Sequence, residues 1–353
     1  MKSIITFIIF IISFILINIF FKGNYQKDLV DTSKRPKHSV RKNYEKIIKT
    51  YTPEIIMIGN SMLRCALDHN QFSKIIKKRS IKLTLDGSAS SWWYLFTKNV
   101  IVSGKHKPKA LMIFFRDHYL TEPDFRVNGT YKANINEMRN GKDEDLLNRL
   151  AYLNNMPSWK YTLLKHSHLF RQNEHMKGNL DRFVKTKIID SFLGISINSL
   201  DESLQTTFHT SKYNNQLYTL EQKRVEAIKK GSKLTFDSKI KKSFLPEIVN
   251  LCECNGIKLY LIRVKKRRDI IQGKQPENMM VYSDNLKEYC RNNQVTLIDF
   301  SNCKSLNIKH YADGDHLEQR KGMPIFTRIL ANAYTNIILN EKTGKPKYIF
   351  DVP

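Results

Sequence analysis

The stretch Glu54-Ile55-Ile56-Met57-Ile58-Gly59-Asn60-Ser61 limits the choice of fold more than any other. Its apolar residues are consecutive, without the polar alternation of a strand that has one wet face. Such a run suits a strand covered on both sides, as in a parallel sheet between helical layers. It stops at a glycine, an amide and a hydroxyl. In an open α/β sheet the carboxyl ends of the strands border the crevice where ligands bind, so Ser61 is delivered to that crevice. Taken alone, Gly-Asn-Ser is ordinary turn chemistry.

Four further stretches read as strands, of which only Ala110 to Phe115 is as continuously apolar. Ile81 to Leu85 ends in Asp86-Gly87, Ala110 to Phe115 in Arg116-Asp117-His118, and Ile257 to Val264 in Lys265-Lys266-Arg267-Arg268; Val295 to Phe300 is the last. Between them lie helical patterns. One covers Met62 to Lys78, interrupted near Asp68-His69-Asn70, and another covers Trp92 to Val102 behind the cap-rich Ser88-Ala89-Ser90-Ser91. Later ones cover Asp237 to Asn255, Asn278 to Asn292 and Glu318 to Leu339, the last with Gly322 and Pro324 in its first turns. Strands alternating with helices predict a parallel sheet covered on both faces.

The sheet pattern begins near residue 52 and ends near 340, with 341–353 read as a C-terminal tail. Residues 120–236 break it with polar sequence and scattered helical stretches, including Asp145 to Leu153 and Leu220 to Lys230. So long a segment reads as a helical insertion over the site and not as a structureless loop. At the other end, residues 1–22 hold an apolar run from Ile4 to Phe21 between Lys2 and Lys22, about the length that crosses a bilayer as one helix. No small-residue cleavage site follows, so the run reads as a retained signal anchor. The polar segment 23–51 then reads as a stalk, with a short helical pattern from Tyr44 to Ile48.

Composition narrows the partners. The chain has 59 Lys and Arg against 33 Asp and Glu, a net charge of +26. That balance attracts polyanions, although much of it suits a solvated lysine-rich surface. No nucleic-acid-binding module accompanies the charge, so nucleic acid is not an expected partner. Lys265-Lys266-Arg267-Arg268, following a strand, is a candidate clamp for an anionic substrate. Five scattered cysteines give no disulfide framework. Neither Cys252-Glu253-Cys254 nor His166, His168 and His175 has metal-ligand spacing, and no metal or cofactor is expected.

A serine hydroxyl needs a base to take its proton as it attacks, and histidine is the usual base. The stretch Tyr311-Ala312-Asp313-Gly314-Asp315-His316-Leu317 supplies one, with two carboxylates beside it. Either could hold the imidazole in one tautomer. The spacing Asp-x-x-His lets the side chains meet across one tight turn and favours Asp313, leaving Asp315 to cap the helix from Glu318. Backbone amides of Ser61 and Gly87 are the candidate donors to a developing oxyanion.

With these residues the chain resembles the GDSL/SGNH hydrolase superfamily. Gly59-Asn60-Ser61 stands where the family has its nucleophile, Gly87 where it has its oxyanion-hole glycine, and Asp313-Gly314-Asp315-His316 where it has Asp-x-x-His. The resemblance implies a flavodoxin-like three-layer α/β/α fold with a mainly parallel sheet. It also implies Ser61 as nucleophile, His316 as base and Asp313 as its orienting acid. It departs at the block where the family has an oxyanion-hole asparagine: here stands Phe115-Arg116-Asp117-His118, with Arg116 the candidate replacement.

The anchored arrangement is similar to superfamily members that modify cell-surface polysaccharides by O-acetylation or teichoic acids by D-alanylation. This implies an esterase or O-acyltransferase outside the cytoplasmic membrane, acting on a surface glycan beside a membrane-bound O-acyltransferase. The alternative is a partner of such an acyltransferase that keeps the sheet but has lost catalysis. Trp92 and Trp93 could stack on sugar rings or pack in the core.

Overall fold

A computed structural model describes residues 39–127, 131–153, 157–159, 236–267, 275, 277–344 and 347–352. The apolar run from residue 4 to 21, His166, His168, His175, Arg268 and the stretch 220–230 lie outside the described residues. Among the described residues no helix is long and apolar enough to cross a membrane, and no group of side chains is arranged to hold a metal ion.

The chain enters through α1 (Val40–Tyr51), then β1 (Ile55–Gly59), α2 (Ser61–Ala66), α3 (His69–Ile76) and β2 (Ser80–Thr84). Next come α4 (Ser90–Phe96), continued by a wider π-helical stretch Thr97–Val102, and β3 (Ala110–Phe115). Helices α5 (Tyr131–Met138) and α6 (Glu144–Leu147) begin the long segment after β3. The sheet pattern resumes with α7 (Phe236–Ile240), α8 (Leu245–Cys254), β4 (Lys258–Arg263), α9 (Glu277–Asn292), β5 (Thr296–Asp299), α10 (Gly322–Lys342) and β6 (Ile349–Asp351).

The six strands form one sheet in the order β2-β1-β3-β4-β5-β6, every neighbouring pair parallel. The order from β2 to β5 is the flavodoxin-like one, whose reversal point lies between β1 and β3. Each strand residue alternates between the two layers, which is why the sequence shows continuous apolar runs. Ile56, Ile58, Leu111 and Ile113 pack with Trp92, Phe96, Ile248 and Leu286 on one face. Ile55, Met57, Met112 and Phe114 pack with Leu63, Phe72, Phe326 and Leu330 on the other. Trp92 and Trp93 are buried, so they belong to the core and not to a sugar-stacking surface.

Three boundaries move. Residues 341–353 were expected to be a tail, yet β6 hydrogen-bonds along β5 and closes the sheet edge. Three residues behind a lysine- and glycine-containing turn are too few to show a period. The end of the expected stalk is docked: in α1, Ile48 is buried and Tyr44 donates from its hydroxyl to the Thr84 carbonyl at 2.7 Å. The last long helix starts at Gly322 and not at Glu318, whose carboxylate instead accepts from the Lys321 amide at 2.6 Å.

Candidate active site

Ser61 opens α2 directly beyond β1. Asn60 caps that helix, its side-chain oxygen accepting the Met62 amide at 3.0 Å, so the nucleophile candidate sits on a fixed turn. Gly59 leaves room there: a Cβ on it would lie 3.0 Å from the Leu63 Cβ and 3.1 Å from the Phe114 Cβ.

The partner histidine comes from the turn before α10. Tyr311 and Leu317 bridge as an antiparallel pair, and the Ala312 amide donates to the His316 carbonyl at 2.9 Å. Inside this loop one oxygen of Asp313 accepts the amides of Asp315 and His316, each at 2.8 Å. The Arg267 amide donates to the Gly314 carbonyl at 3.2 Å, anchoring the turn to the segment after β4.

Across 255 positions of sequence, His316 Nε2 lies 2.8 Å from Ser61 Oγ. The other ring nitrogen, Nδ1, lies 2.8 Å from Asp313 Oδ2. With Nδ1 protonated and donating to the carboxylate, Nε2 is left as the acceptor of the serine proton. Burial alone would push the Asp313 carboxyl up. Hydrogen bonds from the His316 ring and amide, with the charges of His316 and Arg116, hold it below the ordinary carboxylate value. The side chains keep part of their surface open, 29% for His316 and 46% for Asp313, so solvent and a substrate can reach them.

Asp315 does not cap a helix. Its carboxylate pairs with the Arg116 guanidinium, which comes from the end of β3. The pair joins the triad turn to the sheet reversal point. Arg116 also lies over the Tyr119 ring, 5.4 Å from its centre, and Tyr119 stacks on Phe125 at 4.1 Å. Arg126 then lies between Phe125 and Tyr131, and Tyr131 reaches Gly87. A column of guanidinium groups and rings thus lines the rim from Arg116 to Gly87.

Gly87 follows β2 with φ of +75°, a conformation that disfavours a side chain. A Cβ there would overlap the Tyr131 ring. Ser88 next to it is held by Trp93 Nε1, which donates to its hydroxyl at 3.1 Å, and by Asn60 Nδ2, which donates to its carbonyl at 3.5 Å. Asn60 therefore links the Ser61 turn to the Gly87 turn, a coupling that the sequence did not reveal.

Two members of the basic run after β4 are taken from the expected clamp, and Arg268 lies outside the described residues. Lys265 and Lys266 are buried, Lys265 Nζ donating to the Cys303 carbonyl and Lys266 pairing with Asp117. Buried ammonium groups require such partners, and these two are used in holding the loops together. Arg267 is also buried, at the wall of a concavity beside the triad turn.

No family model matches the chain, and no curated protein does. Its structural neighbours include a candidate acylhydrolase from Bacteroides fragilis, at 12% identity and a TM-score of 0.37 over 80% of this chain and 86% of that one. A GDSL-like lipase from Bacteroides thetaiotaomicron is similar at 12% identity and a TM-score of 0.36, over 84% of this chain and 98% of that one. So distant a likeness leaves the weight on the site's own geometry.

Proposed function

We propose that the chain is a serine esterase or O-acyltransferase of the SGNH type. The observation that carries this reading is the continuous hydrogen-bonded series Ser61 Oγ, His316 and Asp313, at 2.8 Å for each link, on the carboxyl edge of a parallel sheet. Core packing does not call for a hydroxyl, an imidazole and a carboxylate in that order on a partly open surface.

Ser61 Oγ attacks the acyl carbonyl carbon while its proton passes to His316 Nε2. Asp313 stabilises the imidazolium without taking its proton. The tetrahedral oxyanion is received by the amides of Ser61 and Gly87, with Arg116 at the rim in place of an asparagine. Collapse releases the alcohol, protonated by His316, and leaves an acyl-serine. Water or a sugar hydroxyl then gives its proton to His316, attacks the acyl carbon and regenerates Ser61. The triad is the same for both acceptors, so hydrolysis and transfer are one mechanism with two outcomes.

The preferred substrate is an acetylated cell-surface polysaccharide, and the preferred location the outer face of a membrane held by residues 1–22. The apolar run from Ile4 to Phe21 supports the membrane tether, and the net charge of +26 suits an anionic surface polymer. A membrane-bound O-acyltransferase is the proposed partner for donor supply. The engagement of Arg116 by Asp315 favours one second reading, a scaffold that lacks a working oxyanion donor. Hydrolysis of p-nitrophenyl acetate decides between them. Turnover by the native chain that is lost in Ser61→Ala supports the enzyme, and equal rates for the two proteins would remove the serine mechanism.

A further inference from the structure

Next to the triad turn lies a pocket of about 500 Å³, lined by Arg267, Lys309 and Lys321, with Glu318, Tyr311 and Ile308. It shares the turn's framework, since Tyr311 immediately precedes Ala312 and Asp313, and the Arg267 amide is bonded to Gly314. Its single carboxylate is already engaged, Glu318 accepting from the Lys321 amide. Lys309 and Lys321 are exposed and make no ion pair among the described residues. His310, next to Lys309 in the chain, is held below the ordinary imidazole range by burial and then by the charges of these two lysines. Three cations and an exposed Ile308 thus line one concavity beside the proposed catalytic turn.

We propose that this pocket binds the anionic group of a glycan, a carboxylate, phosphate or sulfate on a sugar near the acylated one. The inference rests on the serine chemistry above for its catalytic consequence, but not for binding. Lysine heads supply the charge, the Arg267 side the fixed wall, and the exposed Ile308 the apolar surface against which a sugar ring lies, while Tyr311 is buried with its hydroxyl donating to the Lys265 carbonyl at 2.9 Å. An acyl group close to a negatively charged sugar would be presented to Ser61 with its neighbour anchored, so anionic polymers are selected over neutral ones at the same site.

The test uses the double variant Lys309→Glu/Lys321→Glu and, as a control with the same charge change, Lys74→Glu/Lys142→Glu, two exposed lysines that do not line the pocket. Kcat/KM is measured for acetylated oligogalacturonate and for acetylated galacto-oligosaccharide. Binding of unacetylated oligogalacturonate is measured by calorimetry. The pocket variant should lower the anionic-to-neutral kcat/KM ratio roughly tenfold or more and weaken oligogalacturonate binding by a similar factor, while the control keeps both. A ratio and an affinity equal to those of the native chain would overturn the proposal, as would equal losses in the control, which would mean diffuse attraction. If the native chain turns over neither ester, the kcat/KM ratio gives no reading, and the serine chemistry is judged by p-nitrophenyl acetate alone. The calorimetric comparison still decides the pocket: binding lost only in the pocket variant sustains it, and binding unchanged or absent removes it.

Discussion

Replacing Gly87 by alanine should be costly for two separable reasons. The backbone sits at φ of +75°, where a Cβ costs about 1–2 kcal/mol, partly offset because alanine restricts the unfolded chain by about 0.4–1 kcal/mol. The new methyl would also overlap the Tyr131 ring, with the Tyr131 Cζ and Oη each at 3.1 Å. Swinging that ring aside forfeits its contact with Arg126, 5.3 Å from the ring centre, and adds about 1–2 kcal/mol of overpacking. Gly87→Ala should therefore destabilise by about 2–3 kcal/mol in the native background. In a Tyr131→Ala background only the backbone share, about 1 kcal/mol, should remain, giving a coupling of about 1–2 kcal/mol. Urea unfolding of the four proteins of this cycle measures it. A coupling below about 0.5 kcal/mol would show that Tyr131 does not press on Gly87, and the rim column from Arg116 to Gly87 would lose its last member.

Other perturbations test other parts of the molecule. Arg263 is buried, with Nη1 3.1 Å from Asp299 and 2.9 Å from Ser283 Oγ; Arg263→Ala leaves the Asp299 carboxylate uncompensated and should cost about 3–5 kcal/mol in urea unfolding. Asp313→Asn should keep the fold but lower kcat for p-nitrophenyl acetate by about 10⁴-fold, because an amide can hold the imidazole in the wrong tautomer. A fall of only a few-fold would show that Asp313 does not orient His316. For His118, burial lowers the pKa, Glu122 and Asp117 oppose this, and Lys239 and Lys266 add to it. The unfolded chain then binds the extra proton first, so stability is full above the unfolded value of about 6.5 and is lost as pH falls from there toward the folded value. His118→Gln should flatten the stability profile over that window, measured by urea midpoints at successive pH values.

Much of the core was readable because burial on both faces leaves an apolar run with few alternatives. The strand ends then pointed to Ser61 and Arg116 at the crevice, and the short Asp-x-x-His spacing favoured Asp313, whose carboxylate lies 2.8 Å from His316 Nδ1. What escaped depended on contacts between distant segments. Lys265 and Lys266 look solvated until the Cys303 carbonyl and Asp117 are brought beside them. Asp315 has the composition of a helix cap, and only the folded sheet presents Arg116 to it. Lys309 and Lys321 are indistinguishable from other lysines in so basic a chain, and their shared pocket exists only once α10 docks. The edge strand β6 was lost for a different reason, being too short for a period to appear.

The most direct measurement of the central claim is peptide mapping after treatment with a fluorophosphonate, which reacts with a serine oxygen only when a neighbouring base removes its proton. The native chain should carry the adduct on Ser61, and His316→Ala should carry almost none although Ser61 is still present. Labelling of Ser61 at the same rate in both proteins, or none in a folded native chain, would mean that the 2.8 Å contact between serine and imidazole does not activate a nucleophile.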